Sequence, residues 1–206
     1  MAKIDAEDDE TFYEPPRLVL HIDESAVAAL TQFYRAVLPP GGVLLDLMSS
    51  WVSHLPPEID YAEVVGHGMN AAELAANPRL ARRFVQNLNR DPMLAFADSS
   101  FDAAMICVSI QYLTDPIAVL SDLRRVVRPG GLTVVTFSNR CFPTKAVAVW
   151  LGTTDQQHVD LVRAYFERAA GWSDVTGEDR SPGDGGDPLY AVWARASRTR
   201  SPSVGC

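Results

Sequence analysis

The chain has few cysteines, few basic residues and no long apolar run, and each shortage excludes a class of protein. Its 206 residues include 3 cysteines without a CxxC spacing, which excludes a disulfide framework or zinc site and indicates a reducing, cytoplasmic location. Lys and Arg number 18 against 26 Asp and Glu. The net charge of −8 argues against a nucleic-acid partner, because phosphates attract positive surfaces. No apolar stretch approaches the length of a membrane span, so no membrane association is expected.

The two ends of the chain lack apolar patterning. Residues 1–11 are polar and acidic and have no signal-peptide core, so we expect them to be disordered and removal of residues 1–10 to be harmless. Residues 197–206 predict a disordered tail. Because the chain is 47% apolar and 21% charged, residues 12–196 are expected to form a single domain, with 12–40 as an N-terminal lid and first helix.

Strand-like and helix-like segments alternate along this domain. Asp23 is a suitable N-cap for the first helix, and Pro116 opens a later one after the cap residue Asp115. Predicted strands cover residues 43–48, 62–66, 83–86, 101–109 and 132–138, followed by an antiparallel pair at 172–176 and 189–194. This order predicts an α/β, doubly wound, mostly parallel seven-stranded sheet with a reversed last strand.

The most informative segment is Arg128-Pro-Gly-Gly-Leu-Thr, which leads from a predicted helix into the apolar run 134–137. It follows the segment Phe96-Ala-Asp-Ser-Ser-Phe-Asp, and both follow the first strand. This order resembles the class I S-adenosylmethionine-dependent methyltransferases, in particular the small-molecule, methyltransferase type 11-like group, over residues 43–138. The resemblance implies a Rossmann-like methyltransferase fold, S-adenosyl-L-methionine as cofactor and a small-molecule methyl acceptor.

The resemblance also implies where the cofactor binds. Asp46 matches the acidic residue that ends the first strand, but the glycine positions that follow hold Met48, Ser50 and Val52. A Cβ at these positions would crowd a cofactor placed in the usual way, so we expect a reshaped pocket or a lost one. The implied cofactor contacts after the strands are Asp46, Met48, Ser49, Ser50, Gly68, Met69, Asn70, Asn87, Leu88, Asn89 and Ser109.

Neutral amides stand where the family has acidic side chains. Gly68 replaces the acidic residue that binds the ribose hydroxyls, and Asn70 would either take over this contact or only cap the next helix. Asn87 would accept a hydrogen bond from the adenine amine, with Asn89 as the second candidate. The alternative is an asparagine-rich turn without a ligand.

The sequence gives fewer indications of which residues bind the methyl acceptor. Methyl transfer is an in-line displacement that needs a base only when the acceptor loses a proton, and His21 and Tyr112 are the catalytic candidates. In the family, an N-terminal segment often folds over the cofactor, which would let Tyr13 close the pocket and Arg17 meet the cofactor carboxylate. Alternatively, these side chains only pack or form surface pairs. The candidate substrate-binding residues are Gln111, Asn139 and Arg140.

Two other functions remain open. The missing glycines and the missing acidic residue favour a non-catalytic or regulatory module that keeps the fold, or an enzyme with other S-adenosylmethionine chemistry such as intramolecular cyclisation. A nicotinamide oxidoreductase is disfavoured because no GxGxxG follows the first strand. No metal site is expected, and the sequence does not determine an oligomeric state or the identity of the acceptor.

Overall fold

The sheet confirms the predicted fold class. The computed structural model describes residues 1–5 and 7–198, and these form one seven-stranded sheet in the order β3-β2-β1-β4-β5-β7-β6. Strand β7 runs antiparallel to β5 and β6, and the remaining neighbours are parallel. The strands are β1 (Val43–Leu47), β2 (Glu63–Gly68), β3 (Arg82–Val85), β4 (Phe101–Cys107), β5 (Val127–Phe137), β6 (Trp172–Asp179) and β7 (Tyr190–Ala196).

Helices cover both faces of the sheet. In the described part of the chain they are α1 (Asp9–Tyr13), α2 (Glu24–Val37), α3 (Ala71–Ala76), α4 (Pro116–Val126), α5 (Ala148–Leu151) and α6 (Asp155–Ala169), with a 3-10 turn at Ile110–Tyr112. Side chains alternate along a strand, so Leu45 and Leu47 pack on the face with α4 and α6, whereas Leu44 packs with α2 and α3. Because both faces are covered, the ligand-accessible edge is the row of strand ends.

The helices begin at the cap residues that the sequence indicates. The Asp23 carboxylate accepts a hydrogen bond from Ala26 N at the start of α2, and Asp115 accepts one from Ala118 N at the start of α4. Thr154 opens α6 with a complete capping box. These local signals fix where each helix begins.

Strand β5 begins earlier than the sequence suggests. The Arg128-Pro-Gly-Gly segment lies inside it, and Val127 pairs with Phe101 across a bulge. A Cβ at Gly131 would lie 2.7 Å from the carbonyl oxygen of Asp102, so only glycine allows the two backbones to approach this closely. The segment therefore forms the irregular start of a strand, and α4 ends before it.

The described N-terminal residues, 1–5 and 7–11, make specific contacts, whereas their composition predicts disorder over residues 1–11. Lys3 forms a β-bridge with Val147, and Asp9 is buried at the start of α1. Lys3 Nζ lies 2.7 Å from Asp9 Oδ2, and Lys145 Nζ lies 2.9 Å from Asp5 Oδ2. Partners distant in sequence neutralise this acidic stretch, and local composition does not reveal such pairing.

Two further expectations concern the tail and the membrane. Of the predicted tail 197–206, residues 199–206 lie outside the described residues, so the prediction of disorder is not addressed there. Among the residues that the structure describes, no helix combines the length and the apolar character that crossing a bilayer requires.

Candidate active site

A cavity opens at the carboxyl ends of β1, β2 and β4. Strand order changes direction between β1 and β4, and such switch points are where open α/β sheets bind ligands. The cavity holds about 1070 Å³ of space including its mouth. The sequence-predicted residues that line it are Tyr13, His21, Asp46, Met48, Ser49, Ser50, Gly68, Met69, Asn87, Leu88, Asn89, Ser109 and Tyr112. The fold thus brings together most of the residues that the resemblance implied.

The loop after β1 keeps a glycine-like backbone without a glycine. Met48 has a φ of 58°, in the left-handed region that favours glycine. Ser49 N donates a hydrogen bond to His67 O at 2.7 Å, which holds the loop against the end of β2. Met48 therefore stands at a position where the family has glycine, and its backbone keeps the left-handed conformation that glycine favours.

The left-handed backbone at Met48 leads to a prediction about the free energy of unfolding. Left-handed backbone costs a residue with a Cβ about 1 kcal/mol, so Met48→Gly should be more stable than Met48→Ala by about this amount. Denaturant unfolding of both variants measures the difference. Val52 is the control because its φ is not positive, and there Gly should be less stable than Ala by about 0.5–1 kcal/mol. The same order of stability at both positions would contradict the argument.

Asp46 is buried beneath this loop. Its side chain accepts hydrogen bonds at Oδ2 from the hydroxyls of Ser49 and Ser53, both at 2.6 Å. Burial raises the pKa of Asp46 to about 6, and the two hydroxyls oppose this shift. Asp46 therefore organises the loop that forms one wall of the cavity.

The acidic side chain at this part of the cavity comes from helix α3, which follows β2, and not from the end of β2 itself. A Cβ at Gly68 would lie 2.5 Å from the carbonyl oxygen of Ser49, so a carboxylate cannot occupy this position with the loop as it stands. Glu73, in the first turn of α3, is buried and lines the cavity instead. Its Oε1 accepts from Arg17 N at 2.7 Å and its Oε2 from the Ser50 hydroxyl at 2.6 Å.

Sequence reasoning missed Glu73, although one signal was present. Glu73 stands three residues after the helix cap, where an acidic residue is commonly explained as a capping partner. The cap itself is Asn70, whose Oδ1 accepts from Ala72 N and Glu73 N while its Nδ2 donates to Tyr13 O and Glu14 O. Asn70 caps α3 and uses its side-chain hydrogen bonds within the protein, and it does not line the cavity, so its ribose contact stays a prediction.

Asn87 and Asn89, in the loop after β3, both line the cavity, but their side chains differ in the hydrogen bonds that they already make. Asn89 donates to Asp9 Oδ2 at 2.7 Å and to Tyr112 O at 2.9 Å, and its Oδ1 accepts from Thr114 N. Asn87 uses its Oδ1 to accept from Asn89 N. Asn89 therefore ties the N-terminal segment to the sheet, which leaves Asn87 as the candidate for ligand contact.

The N-terminal segment covers the cavity, but Arg17 does not enter it. The Arg17 guanidinium lies 4.3 Å from the centre of the Phe12 ring and donates to Phe12 O at 2.9 Å. Phe12 in turn packs against Phe142. Contrary to expectation, the Arg17 side chain stabilises the fold of this segment, whereas Tyr13 lines the cavity as predicted.

The histidines of the cavity are His21, His54 and His67. Burial lowers the pKa of His54 and His67 to about 4 and also lowers the pKa of His21, so all three rings are neutral near pH 7. Burial raises the pKa of Tyr112 to about 12, and its hydroxyl accepts from Phe142 N at 2.9 Å. Tyr112 stays protonated near pH 7, so it does not act as a base there, whereas the neutral histidines can accept a proton.

A second cavity adjoins the first. Asn139 and Arg140, two of the candidate substrate-binding residues, line it. The residues that line both cavities are Leu20, His21, Val108, Tyr112 and Phe142. Gln111, the third candidate, is 1% exposed, donates to Val108 O and lines neither cavity, so its substrate contact stays a prediction. Its place on the short 3-10 turn points it into the core.

Comparison with known proteins shows which family this chain is similar to. The family model for the methyltransferase domain matches residues 52–135. The demethylmenaquinone methyltransferase of Corynebacterium glutamicum (strain R) is 34% identical over 134 residues, which cover 64% of this chain and 57% of that relative. Residues 52–135 thus match the methyltransferase-domain family, and the chain is similar to class I S-adenosylmethionine-dependent methyltransferases.

The remaining similarities are shorter or more distant. A demethylmenaquinone methyltransferase of Mycobacterium sp. (strain KMS) is 46% identical over 55 residues, so the chain spans about a quarter of that relative's length (24%) and 25% of its own. An S-adenosylmethionine-dependent methyltransferase from Mesorhizobium loti is 18% identical with a TM-score of 0.58, covering 82% of this chain and 98% of that one. The [4+2]-cyclase SpnF is 15% identical with a TM-score of 0.61, covering 82% and 81%. These two structures show the fold alone.

Proposed function

We propose that this protein binds S-adenosylmethionine in the first cavity and transfers its methyl group to a small-molecule acceptor in the second. The observation that carries the proposal is that the two cavities adjoin each other and share the lining residues His21, Tyr112 and Phe142. A donor and an acceptor held on either side of these residues would face each other directly. Such alignment supplies most of the rate enhancement in an in-line displacement.

The residues present fit the cofactor. Glu73 offers a buried carboxylate for the hydroxyls of a ribose, and Gly68 lines the same cavity without a side chain. Asn87 and Leu88 provide a neutral polar and an apolar surface for a heterocycle. The Ser109 hydroxyl lies in the cavity lining and has no hydrogen-bond partner among the described residues, which suits a polar ligand.

The chemistry requires little from the protein beyond placement. The bound cofactor supplies an activated methyl group: the carbon–sulfur bond breaks as the bond from methyl carbon to acceptor atom forms. Where the acceptor is a hydroxyl or acidic carbon, His21 takes its proton, because His21 is neutral and lines both cavities. Tyr112 positions the acceptor with its ring and its protonated hydroxyl.

Aromatic side chains define the class of acceptor. The ring of His21 lies 5.5 Å and the ring of Tyr112 lies 6.0 Å from that of Phe142, measured between ring centres. Such surfaces favour a planar, largely apolar ring. The names of the relatives, demethylmenaquinone methyltransferases, agree with an acceptor of this shape, and we propose a planar ring compound for this chain.

Binding of S-adenosylhomocysteine to the purified protein tests the proposal by calorimetry. The wild type is expected to bind, and Glu73→Gln should weaken binding about tenfold, since a charge-assisted hydrogen bond contributes roughly 1.5–3 kcal/mol. Glu24→Gln is the matched control: Glu24 also lies in the first turn of a helix but is exposed, so its variant should bind like the wild type. A wild-type protein that fails to bind would refute the cofactor assignment.

A second candidate is an enzyme of this fold that performs other chemistry. The similarity to a [4+2]-cyclase and the side chains at Met48, Ser50 and Val52 favour it. The glycine-like backbone of Met48 and the buried Glu73 favour retained cofactor binding over a module that has lost it. Incubation with S-adenosylmethionine and candidate ring acceptors separates the two enzymes, because only methyl transfer releases S-adenosylhomocysteine in step with a methylated product.

A further inference from the structure

Arg140 is a cation at the second cavity whose side chain makes no hydrogen bond within the described part of the protein. Its Nε lies 3.9 Å from Asp187 Oδ1, which is beyond hydrogen-bond distance, and its side chain is 64% exposed. Asp187 is itself held by another segment, because its Oδ2 accepts from Asp23 N at 3.0 Å. The N–H donors of the Arg140 guanidinium are therefore available to a ligand.

The lining of the second cavity gives this cation no counter-charge. Among the described residues, those that line the cavity besides Arg140 include no Asp, Glu or Lys. Burial lowers the pKa of His21 and raises the pKa of the Cys141 thiol, so both side chains are neutral near pH 7. A ligand held here therefore meets one positive charge on an otherwise neutral, partly aromatic surface.

Arg140 lies outside the junction of the two cavities. It lines the second cavity only, whereas His21, Tyr112 and Phe142 line both and so mark where the cavities meet. Arg140 stands two positions before Phe142 in the segment that follows β5. A planar ring packed against Phe142 can therefore extend a substituent to Arg140 while its other end faces the first cavity.

The charge of the site favours a carboxylate over a phosphate ester. A guanidinium binds a carboxylate through two parallel N–H···O hydrogen bonds, and the two charges cancel. A phosphate monoester carries about −1.5 to −2 charges near pH 7, and the described lining supplies no second cation. Lys145, the next cation along the chain, is fully buried and already paired with Asp5 and Asp9.

We propose that the acceptor is a planar ring compound with a carboxylate substituent, and that Arg140 binds this carboxylate. The inference rests on the proposed function, which places the acceptor in the second cavity. The carboxylate anchors the acceptor and is not the methylated group, because Arg140 lies outside the junction where donor and acceptor meet. Arg140 is therefore a specificity-determining residue that selects anionic ring compounds over neutral ones of the same shape.

Binding of benzoate and of its neutral isostere benzamide tests this assignment. Both are titrated, by nuclear magnetic resonance, into protein saturated with S-adenosylhomocysteine, which fills the first cavity. The wild type should bind benzoate about tenfold more tightly than benzamide, and Arg140→Met should reduce this preference to less than about twofold. Arg83→Met is the matched control: Arg83 is also exposed but lines neither cavity, so this variant should keep the wild-type preference.

Phenyl phosphate is the third probe and should bind less tightly than benzoate. Tighter binding of phenyl phosphate that depends on Arg140 would overturn the carboxylate in favour of a phosphate ester. Benzoate that binds no more tightly than benzamide or not at all, a preference that survives in Arg140→Met, or an equal loss in Arg83→Met would overturn the role of Arg140. All these results leave the proposed function in place, whereas a wild type that does not bind S-adenosylhomocysteine would overturn the proposed function and this assignment with it.

Discussion

Lys145→Met is expected to lower the free energy of unfolding by about 3 kcal/mol, because it removes a fully buried cation from between the buried Asp9 and the half-buried Asp5. The Lys145 side chain is fully buried; its Nζ lies 2.9 Å from Asp5 Oδ2 and 3.5 Å from Asp9 Oδ1, and it donates to Glu7 O at 3.0 Å. Methionine fills a similar volume without the charge. Urea unfolding followed by tryptophan fluorescence measures the loss.

Arg90→Met is the matched control for this prediction. Arg90 also joins the N-terminal segment, with NH2 at 2.5 Å from Asp8 Oδ2 and NH1 at 2.9 Å from Glu10 Oε1, but its side chain is 62% exposed. Exposed pairs contribute about 0–1 kcal/mol because solvent screens them. If Lys145→Met and Arg90→Met lowered the free energy of unfolding by the same amount, the burial of Lys145 would not explain its effect.

Removal of residues 1–10 is expected to weaken S-adenosylhomocysteine binding about 100-fold while the sheet still folds. Sequence composition predicts that this deletion is harmless. The structure reverses the expectation, because Asp9 is the shared partner of Lys3, Lys145 and Asn89 and itself lines the cavity. Without Asp9 and α1, the ring of Tyr13 loses the support that holds it over the ligand.

Calorimetry on the shortened protein measures this loss, and far-ultraviolet circular dichroism shows whether the sheet persists. The control is the double variant Asp8→Asn, Glu10→Gln, which removes only the exposed pairs to Arg90 and should change affinity less than twofold. Wild-type affinity after the deletion would show that the N-terminal segment packs against the sheet without closing the cavity.

Much of the candidate site could be predicted because it follows from strand ends. Asp46, Met48 and Asn87 stand directly after or within predicted strands, and parallel strands bring their carboxyl ends to one edge. The predicted residues that the structure does not bring to the cavity wall are side chains with competing partners. Arg17 stacks on Phe12, and Asn70 caps α3, because contacts within reach satisfy them before a ligand does.

The sequence by itself determined the alternation of strands and helices and the cap residues, because these depend on periodicity and on neighbours within a few positions. Its motif order indicated the resemblance to the methyltransferases. The tertiary structure decided which polar groups meet at and around the cavity. The backbone N of Arg17 donates to Glu73 across 56 positions, and Lys145 donates to Glu7 O across 138. These contacts form only when the sheet brings segments that are distant in sequence to one edge. The local sequence pattern therefore does not predict them.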